Sequence, residues 1–155
     1  ISRFEERSKA IIMTIPQISV FLENKAGQLA DITGILSQNQ VNMRAINIAE
    51  TTDYGVLRLI VDDAAKASSI LLEQGFILTM TPVVGVAVPD TPGGLSRVLS
   101  VISGAEIDVE YMYSVFGQKD GQACMIFRVA DSDGLTAVLE KNGFGTMGGG
   151  ELGLH

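Results

Sequence analysis

The chain has 155 residues, 46% of them hydrophobic and 19% charged, which is the composition of an ordinary folded protein of one or two domains. Its net charge of −7 argues against a nucleic-acid backbone or an anionic membrane as partner, because either would need a basic patch. No apolar run approaches the ~20 residues of a membrane span and no signal-peptide pattern opens the chain, so we expect a cytoplasmic protein. Cys124 is the only cysteine, which excludes a disulfide within one chain and favours a buried, inert thiol.

The first predicted elements follow a stretch that we set aside. Met13-Thr14-Ile15-Pro16 is typical of a natural start, so residues 1–12 are interpreted as an N-terminal extension or a cloning remnant. Alternating apolar residues over 17–22 then predict a strand, and helical spacing over 29–36 predicts a helix with one buried stripe. The predicted inward-facing residues of these two elements are Ile18, Val20, Leu22, Leu29, Ile32, Thr33 and Leu36.

A hairpin and a second helix complete the first module. Two strands flank a turn at residues 51–55, and Asp62-Asp63 can cap a helix that Gly75 ends. A fourth strand is predicted from Phe76 to about Thr81, with Pro82 as a break before the next strand. The predicted inward-facing residues of this part are Ile46, Ile48, Leu57, Leu59, Val61, Ala64, Ala67, Ile70 and Leu71.

The same order of elements recurs in the second half of the chain. Gly93 follows Gly27 by 66 residues and Gly143 follows Gly75 by 68, so the register slips by two residues. The slip falls in a longer hairpin turn at 117–121. The predicted inward-facing residues of the second copy are Val84, Val86, Val88, Leu95, Val98, Leu99, Ile102, Val109, Met112, Ser114, Met125, Phe127, Val129, Leu135, Val138 and Leu139.

The order β-α-β-β-α-β, written twice, predicts an α+β protein of two ferredoxin-like modules. Each module has an antiparallel four-stranded sheet with both helices on one face. We expect domains at 13–81 and 82–147, followed by a glycine-rich tail at 148–155. Because residues 145–153 are so rich in glycine, the last strand of the second module should be weak.

The sheet face away from the helices indicates association. A domain of this size buries only about 60% of its unfolded surface, so we expect the copies, and a second chain, to share an interface. A largely apolar open face on a small domain fits a homodimer. The residues predicted on that face are Ser19, Phe21, Ala45, Asn47 and Ala49 in the first copy and Gly85, Ala87, Tyr111 and Tyr113 in the second.

Two equivalent loops carry the candidate site. Asn24-Lys25-Ala26-Gly27 and Asp90-Thr91-Pro92-Gly93 both have the form [Asn/Asp]-x-x-Gly just before a predicted helix. On one interpretation the side chains of Asn24 and Asp90 only make Asx turns or helix caps, and the glycines permit a positive φ. On the other, free helix N–H groups meet a carboxylate and the side-chain oxygen meets an ammonium. An α-amino acid carries both groups.

The inventory of reactive side chains argues against an enzyme. His155 is the only histidine, and no carboxylate pair, nucleophile elbow, P-loop or metal-ligand cluster can be found. The acidic pairs at 62–63 and 131–133 are interpreted as solvated helix caps. We therefore predict no catalytic residue, no metal and no cofactor.

The module resembles a known family. The first copy, with I-S-V-F-L-E-N-K-A-G-Q-L-A-D-I-T-G-I-L, looks like an ACT domain, and the second, V-A-V-P-D-T-P-G-G-L-S-R-V-L, has the D-x-P-G-x-L form typical of that family. The resemblance implies a ferredoxin-like fold that binds amino acids in these loops, usually where two ACT domains meet side by side. The ligand-binding residues that it implies are Asn24, Lys25, Ala26, Gly27, Gln28 and Leu29, their counterparts Asp90, Thr91, Pro92, Gly93, Gly94 and Leu95, and in addition Asn47.

Three functions fit this resemblance. The first is a free-standing amino-acid sensor whose ligand changes how it associates with itself or with a target metabolic enzyme. The second is a regulatory subunit of an amino-acid biosynthetic enzyme, because the first copy is similar to acetolactate synthase small subunits. The third is a structural dimer that has lost ligand binding. The first copy departs from the family in having Lys25-Ala26 where x-Pro is common, which predicts a looser or differently tuned loop.

Overall fold

The computed structural model describes residues 14–23, 27–50, 54–117 and 120–154. Some of the features predicted above fall on residues outside these ranges. They are the natural start at Met13, the extension over 1–12, the loop residues Asn24, Lys25 and Ala26, the tip of the first hairpin at 51–53, residues 118–119 of the second hairpin turn, and His155. The described chain divides into two compact units, a first unit of Pro16–Thr81 with residues 152–154 and a second unit of Pro82–Glu151 with Thr14 and Ile15.

The first unit has the predicted order of strands and helices. Its elements are β1 (Thr14–Glu23), α1 (Gln28–Gln38), β2 (Met43–Glu50), β3 (Tyr54–Val61), α2 (Ala64–Glu73) and the beginning of β4 (Ile77–Pro89). The strands lie in the order β2, β3, β1, β4, with β3 antiparallel to both of its neighbours. Asp63 caps α2, because its side chain accepts a hydrogen bond from the Lys66 N–H. The cap confirms the prediction for Asp62-Asp63.

The core of the first unit lies between the sheet and the two helices. The prediction was wrong at Leu29 and Ile48, which are both exposed, and Thr33 turns its hydroxyl back to the Leu29 carbonyl at 2.9 Å. Ile35 packs on the core from α1 instead. The buried core residues are Ile18, Val20, Leu22, Ile32, Leu36, Val41, Leu57, Leu59, Val61, Ala64, Ala67 and Leu71.

The second unit repeats this arrangement. It contains the end of β4, then α3 (Gly94–Gly104), β5 (Tyr111–Ser114), β6 (Gln122–Arg128), α4 (Ser132–Lys141) and β7 (Thr146–Met147), followed by a 3-10 turn at Gly149–Leu152. Strand β4 pairs with β6 and with β7, and β6 pairs with β5, all antiparallel. Strand β7 has only two residues, which confirms that the last strand is weak. The buried core residues are Val84, Val86, Val88, Val98, Ile102, Phe127, Val129, Leu135 and Leu139.

One predicted break does not exist. Strand β4 runs unbroken from Ile77 to Pro89 through Pro82, and the boundary between the two compact units falls between Thr81 and Pro82. A proline is compatible with a strand because its fixed φ suits extended backbone. Its only cost is that it has no N–H to donate to a neighbouring strand. The Pro82 carbonyl still accepts a hydrogen bond from Arg128 Nη1 at 2.8 Å. Within the described ranges, no helix is long and apolar enough to cross a membrane.

Candidate functional site

Both candidate loops place a left-handed glycine at the start of a helix. Gly27 caps α1 with φ 90° and ψ −10°, and Gly93 caps α3 with φ 85° and ψ −5°. A positive φ of this size favours glycine, because a Cβ atom would crowd the backbone. The two copies therefore share one backbone conformation at the point where the sequence repeat is strongest.

The glycine caps correct one interpretation of the sequence. The sequence makes Asp90 a candidate helix cap, but the N-cap of α3 is Gly93, three residues later, and a glycine has no side chain with which to cap the helix. The backbone N–H of Asp90 donates to the Gly121 carbonyl at 3.0 Å, and the N–H of Gly94 donates to the Thr91 carbonyl at 3.0 Å. Both backbone bonds hold the second loop in place.

The first turn of each helix contains backbone N–H groups that the helix itself does not pair. In α1 the first intrahelical bond runs from the Asp31 N–H to the Gly27 carbonyl, at 2.9 Å. In α3 it runs from Arg97 to Gly93, at 3.0 Å. The N–H groups of Leu29 and Ala30, and of Leu95 and Ser96, precede those bonds and have no acceptor within their own helix. Such N–H groups, at the positive end of the helix dipole, are suited to a carboxylate.

The first helical residue differs between the two loops. In α3 it is Gly94, which is buried and packs on the backbone of Pro89 so closely that an added Cβ atom would overlap the Pro89 carbonyl oxygen. In α1 it is Gln28, whose Oε1 atom is buried and has no hydrogen-bond partner among the described residues. The resemblance used Gln28 only for its backbone N–H, so sequence reasoning had no ground for singling out its side chain.

The charge in the first turn also differs. Asp31 lies in the first turn of α1. The equivalent residue of α3 is Arg97, and its Nη1 atom lies 3.4 Å from the position that a Cβ atom of Gly93 would occupy. One helix start therefore has an acidic neighbour and the other has a basic one.

The remaining loop candidates lie at the surface. Asp90, Thr91, Pro92 and Gly93 are exposed. Leu95 is half-buried and lines a shallow groove along α3 with Ser96, Leu99, Ser100, Ser103 and Gly104. Gly27 and Leu29 are exposed as well, while Asn24, Lys25 and Ala26 lie outside the described residues.

Asn47 lies in a polar row across the open face of the first sheet. Its Oδ1 atom accepts a hydrogen bond from Arg58 Nη1 at 2.9 Å, and Arg58 is paired in register with both Asn47 and Ser19. The Ser19 hydroxyl contacts the Thr81 hydroxyl at 3.1 Å and accepts a hydrogen bond from Gln17, which is fully buried. Sequence reasoning missed Arg58 and Gln17, although counting residues back from the hairpin turn would have paired Arg58 with Asn47.

The equivalent row of the second unit is apolar. Tyr113 and Gly85 both pair with Ile126, and Gly85 pairs with Met147 on its other side. Tyr113 takes the place of Asn47, and Ile126 takes the place of Arg58. The open faces of the two copies have thus diverged in chemistry while their backbones kept the same register.

The thiol of Cys124 is buried, and its pKa is displaced upward. Burial, and to a smaller extent the negative charge of Glu151, raise the pKa of this thiol from 9.0 to about 11, although a hydrogen bond with the Val86 backbone acts in the opposite direction. A thiol with so high a pKa is a poor nucleophile at neutral pH. Within the described ranges, no group of histidine, cysteine or acidic side chains could hold a metal ion.

The fold and the paired loops define a protein of two ferredoxin-like modules, each with a glycine-capped helix start. A family model described as an ACT domain pair matches residues 13–147. The chain belongs to this family of ACT domain pairs. A comparison with curated proteins found no match.

Solved structures support the family and the fold. Protein BT0572 from Bacteroides thetaiotaomicron is 35% identical, with a TM-score of 0.84 over 91% of this chain and 96% of that one. The regulatory subunit of aspartate kinase from Thermus thermophilus, in a ligand-free form, is 14% identical, with a TM-score of 0.59 over 84% of this chain and 94% of that one. The corresponding subunit from Thermus flavus is 13% identical, with a TM-score of 0.51 over 83% and 92% of the two chains. At such low identity the two kinase subunits show a shared fold.

Proposed function

We propose that this chain is a non-catalytic regulatory protein that binds an α-amino acid, or a similar small molecule, at the loops before α1 and α3. The observation that carries the proposal is the matched geometry of the two loops, in which Gly27 and Gly93 hold the same left-handed conformation. The N-cap residue of each helix is glycine, which has no side chain to accept from the first N–H groups, and such N–H groups are suited to a carboxylate. The ligand-binding loops are residues 24–29 and 90–95, with Asn47 as an additional contact.

Membership of the ACT domain pair family supports the regulatory part of the proposal. ACT domains are regulatory modules that bind small ligands, and the family model spans both copies. A sensor of this kind works through the difference in its affinity for the ligand between two states of association. The chain itself then needs no catalytic residue.

The open face of the first sheet supports a homodimer as the associating species. Phe21 and Tyr54 are 43% and 51% exposed, and Phe21 pairs in register with Val56 while Tyr54 pairs with Glu23. Register pairing places these side chains on one face, next to the end of β1 that leads into the first loop. Exposed aromatic side chains so close together favour association with another protein surface.

A thermal-shift panel over the standard L-amino acids tests the proposal on the full chain. An amino acid present at 100 times its Kd should stabilise the folded state by about 2.7 kcal/mol, which raises the melting temperature by several degrees. Sedimentation of the chain with and without that amino acid then shows whether binding changes the state of association. A panel in which no amino acid moves the melting temperature would refute the proposal and leave the structural dimer.

The alternative function is that of a regulatory subunit of an amino-acid biosynthetic enzyme. The likeness to the aspartate kinase regulatory subunits concerns the fold, so it does not decide between a free-standing sensor and a subunit. Purification of the chain from its native cells would separate the two. A stable complex with a catalytic subunit favours the subunit, and a ligand-responsive homodimer without one favours the sensor.

A further inference from the structure

We propose that β2 pairs antiparallel with β2 of a second chain, with Asn47 on the two-fold axis, so that the first units of two chains form one continuous sheet. This inference rests on the homodimer of the proposed function and assigns its interface to the edge of the first sheet. Four features of β2 support it: its edge position, the order of its residues, the exposure of Ile48 and the surroundings of Arg44.

Strand β2 is an edge strand without the usual protection against pairing. It lies at the end of the strand order and, among the described strands, pairs with β3 alone. Edge strands are ordinarily protected by short length, a proline or a bulge. β2 has eight residues and no proline, and its one irregularity is confined to the end at Met43–Ala45. The equivalent edge strand of the second unit, β5, has only four residues. The first unit therefore offers the longer template for a further strand.

The residue order of β2 is a palindrome with opposite charges at its ends. The segment Arg44-Ala45-Ile46-Asn47-Ile48-Ala49-Glu50 is symmetric about Asn47 except for the terminal charges. An antiparallel pair of such strands centred on Asn47 places alanine opposite alanine and isoleucine opposite isoleucine. It also places Arg44 opposite Glu50 of the second chain. Directly opposite residues lie on one face of a sheet, where opposite charges attract.

Other pairings of the two strands lose this match. A slide by two residues puts Arg44 opposite Ile48 in one direction and Glu50 opposite Ile46 in the other. A slide by one residue puts Asn47 opposite Ile48 and turns the helices of the two chains to opposite faces. A parallel pairing in register places like charges side by side at both ends, which destabilises a sheet. The antiparallel pairing centred on Asn47 is the one that matches every position.

The exposure of Ile48 fits the same pairing. Ile46 and Ile48 lie on the face of β2 that carries the helices, and Ile46 packs on the core of the first unit. Ile48 is 38% exposed, although it has the same orientation. In the proposed pairing Ile48 lies opposite Ile46 of the second chain, which removes its apolar surface from water and so favours association.

Arg44 presents a donor that the described chain does not use. Its Nε atom is buried and has no hydrogen-bond partner among the described residues. Buried polar atoms in native proteins almost always have a partner. The shift in register between Met43 and Ala45 leaves Arg44 without an opposite residue on β3. The carboxylate of Glu50 from the second chain supplies an acceptor of opposite charge, and Glu50 is exposed at the other end of the strand.

Sedimentation equilibrium on the full chain tests the charged pair. Arg44→Glu and Glu50→Arg each place like charges opposite one another at both ends of the pairing. Each should therefore raise the Kd of the homodimer by about tenfold, or about 1.4 kcal/mol. The double variant Arg44→Glu/Glu50→Arg restores opposite charges and should return the Kd to within about threefold of the wild type. Glu73→Arg, at an exposed position of α2, is the control and should leave the Kd unchanged.

Disulfide formation tests the register of the pairing. In a Cys124→Ala background, Asn47→Cys places two thiols opposite each other on the axis, so mild oxidation should link most of the protein into covalent dimers. Ala45→Cys is the matched control on the same face, two residues along the strand. Because Ala45 lies opposite Ala49 of the second chain, two thiols at position 45 are too far apart and should remain unlinked.

The outcomes separate this inference from the proposed function. If Arg44→Glu alone unfolds the chain, the double variant and the cross-link still decide. A wild-type dimer that Asn47→Cys does not link, or that neither charge reversal weakens, would overturn the edge pairing and leave the open sheet face as the interface of the homodimer. A chain that stays monomeric with and without the amino acid would overturn the edge pairing and the homodimer together. The thermal panel reports amino-acid binding independently of both results.

Discussion

Gly94, the first residue of α3, packs directly on the carbonyl group of Pro89, the last residue of β4. A Cβ atom at position 94 would overlap that carbonyl oxygen, which belongs to the backbone and cannot rotate away. This contact fixes how the strand passes into the helix in the second unit. Gln28 stands at the equivalent position of the first unit and has a Cβ atom, so the connection from strand to helix must differ in detail between the two units.

Gly94→Ala should therefore destabilise the protein. We expect a loss of about 1–3 kcal/mol in the free energy of unfolding, because the added methyl group has to displace backbone. Gly104→Ala is the control, since Gly104 ends the same helix and no atom lies within 4 Å of its Cβ position. Alanine there should be neutral or stabilise by up to about 1 kcal/mol. Urea denaturation of both variants checks the prediction, and an equal loss in both would contradict it.

Gly27→Ala tests whether the first loop binds the amino acid, and Gly75→Ala is the control, because Gly75 has the same φ. Gly27 and Gly75 both have φ 90°, and no atom of another described, non-adjacent residue lies within 4 Å of either Cβ position. Alanine should cost about 1–2 kcal/mol of stability at either site, because the left-handed conformation is strained by a Cβ atom. Gly75 follows α2 and lies outside both loops, so only Gly27→Ala should reduce the melting-temperature shift produced by the amino acid. An equal reduction in both variants would argue against a ligand at the first loop.

The two acidic caps should contribute similar amounts to stability. Asp63 Oδ1 accepts from the Lys66 N–H at 3.1 Å, and Asp131 Oδ1 accepts from the Gly134 N–H at 3.0 Å. Replacing either with alanine should cost about 1 kcal/mol, and Asn at the same position should recover most of it. Asp133→Ala, in the first turn of α4, removes only an interaction with the helix dipole and should cost less, about 0.3–1 kcal/mol. Thermal unfolding ranks the variants, and a full loss in Asp133→Ala would show that general charge and not capping is responsible.

The periodicity of the sequence predicts most of the fold because it reports which face of an element is buried. Ile18, Val20 and Leu22 alternate in the sequence and are all buried in the core. The same reasoning fails at Leu29, which continues the apolar stripe of α1 but lies in its first turn, where the side chain reaches past the core to solvent. A spacing rule contains no information on how far a helix extends beyond the sheet beneath it.

The candidate site is less accessible to sequence reasoning, because it depends on backbone conformation and on what surrounds each side chain. The [Asn/Asp]-x-x-Gly pattern predicts a helix start, but only φ shows that Gly93, and not Asp90, is the N-cap. The unpartnered oxygen of Gln28 is a property of its surroundings, which no local pattern encodes. The pairing of Asn47 with Arg58 could be predicted from the sequence, since hairpin register follows from the turn.

The buried thiol of Cys124 should make stability fall at alkaline pH. Its pKa is about 11 in the folded protein, above the value near 9.0 expected for the unfolded chain, so the folded state holds the proton more tightly. The contribution is complete below about pH 9 and is lost as the pH rises through 11, with a total of at most about 2–3 kcal/mol. Cys124→Ala removes the contribution of the thiol to stability. The difference in unfolding free energy between wild type and variant should therefore shrink between pH 9 and 11. Urea denaturation at both pH values measures this difference, and a difference independent of pH would show that the thiol titrates normally.

Alkylation of Cys124 by iodoacetamide at pH 8 should be slow in the folded protein and fast in urea, because the side chain is only 7% exposed and remains protonated.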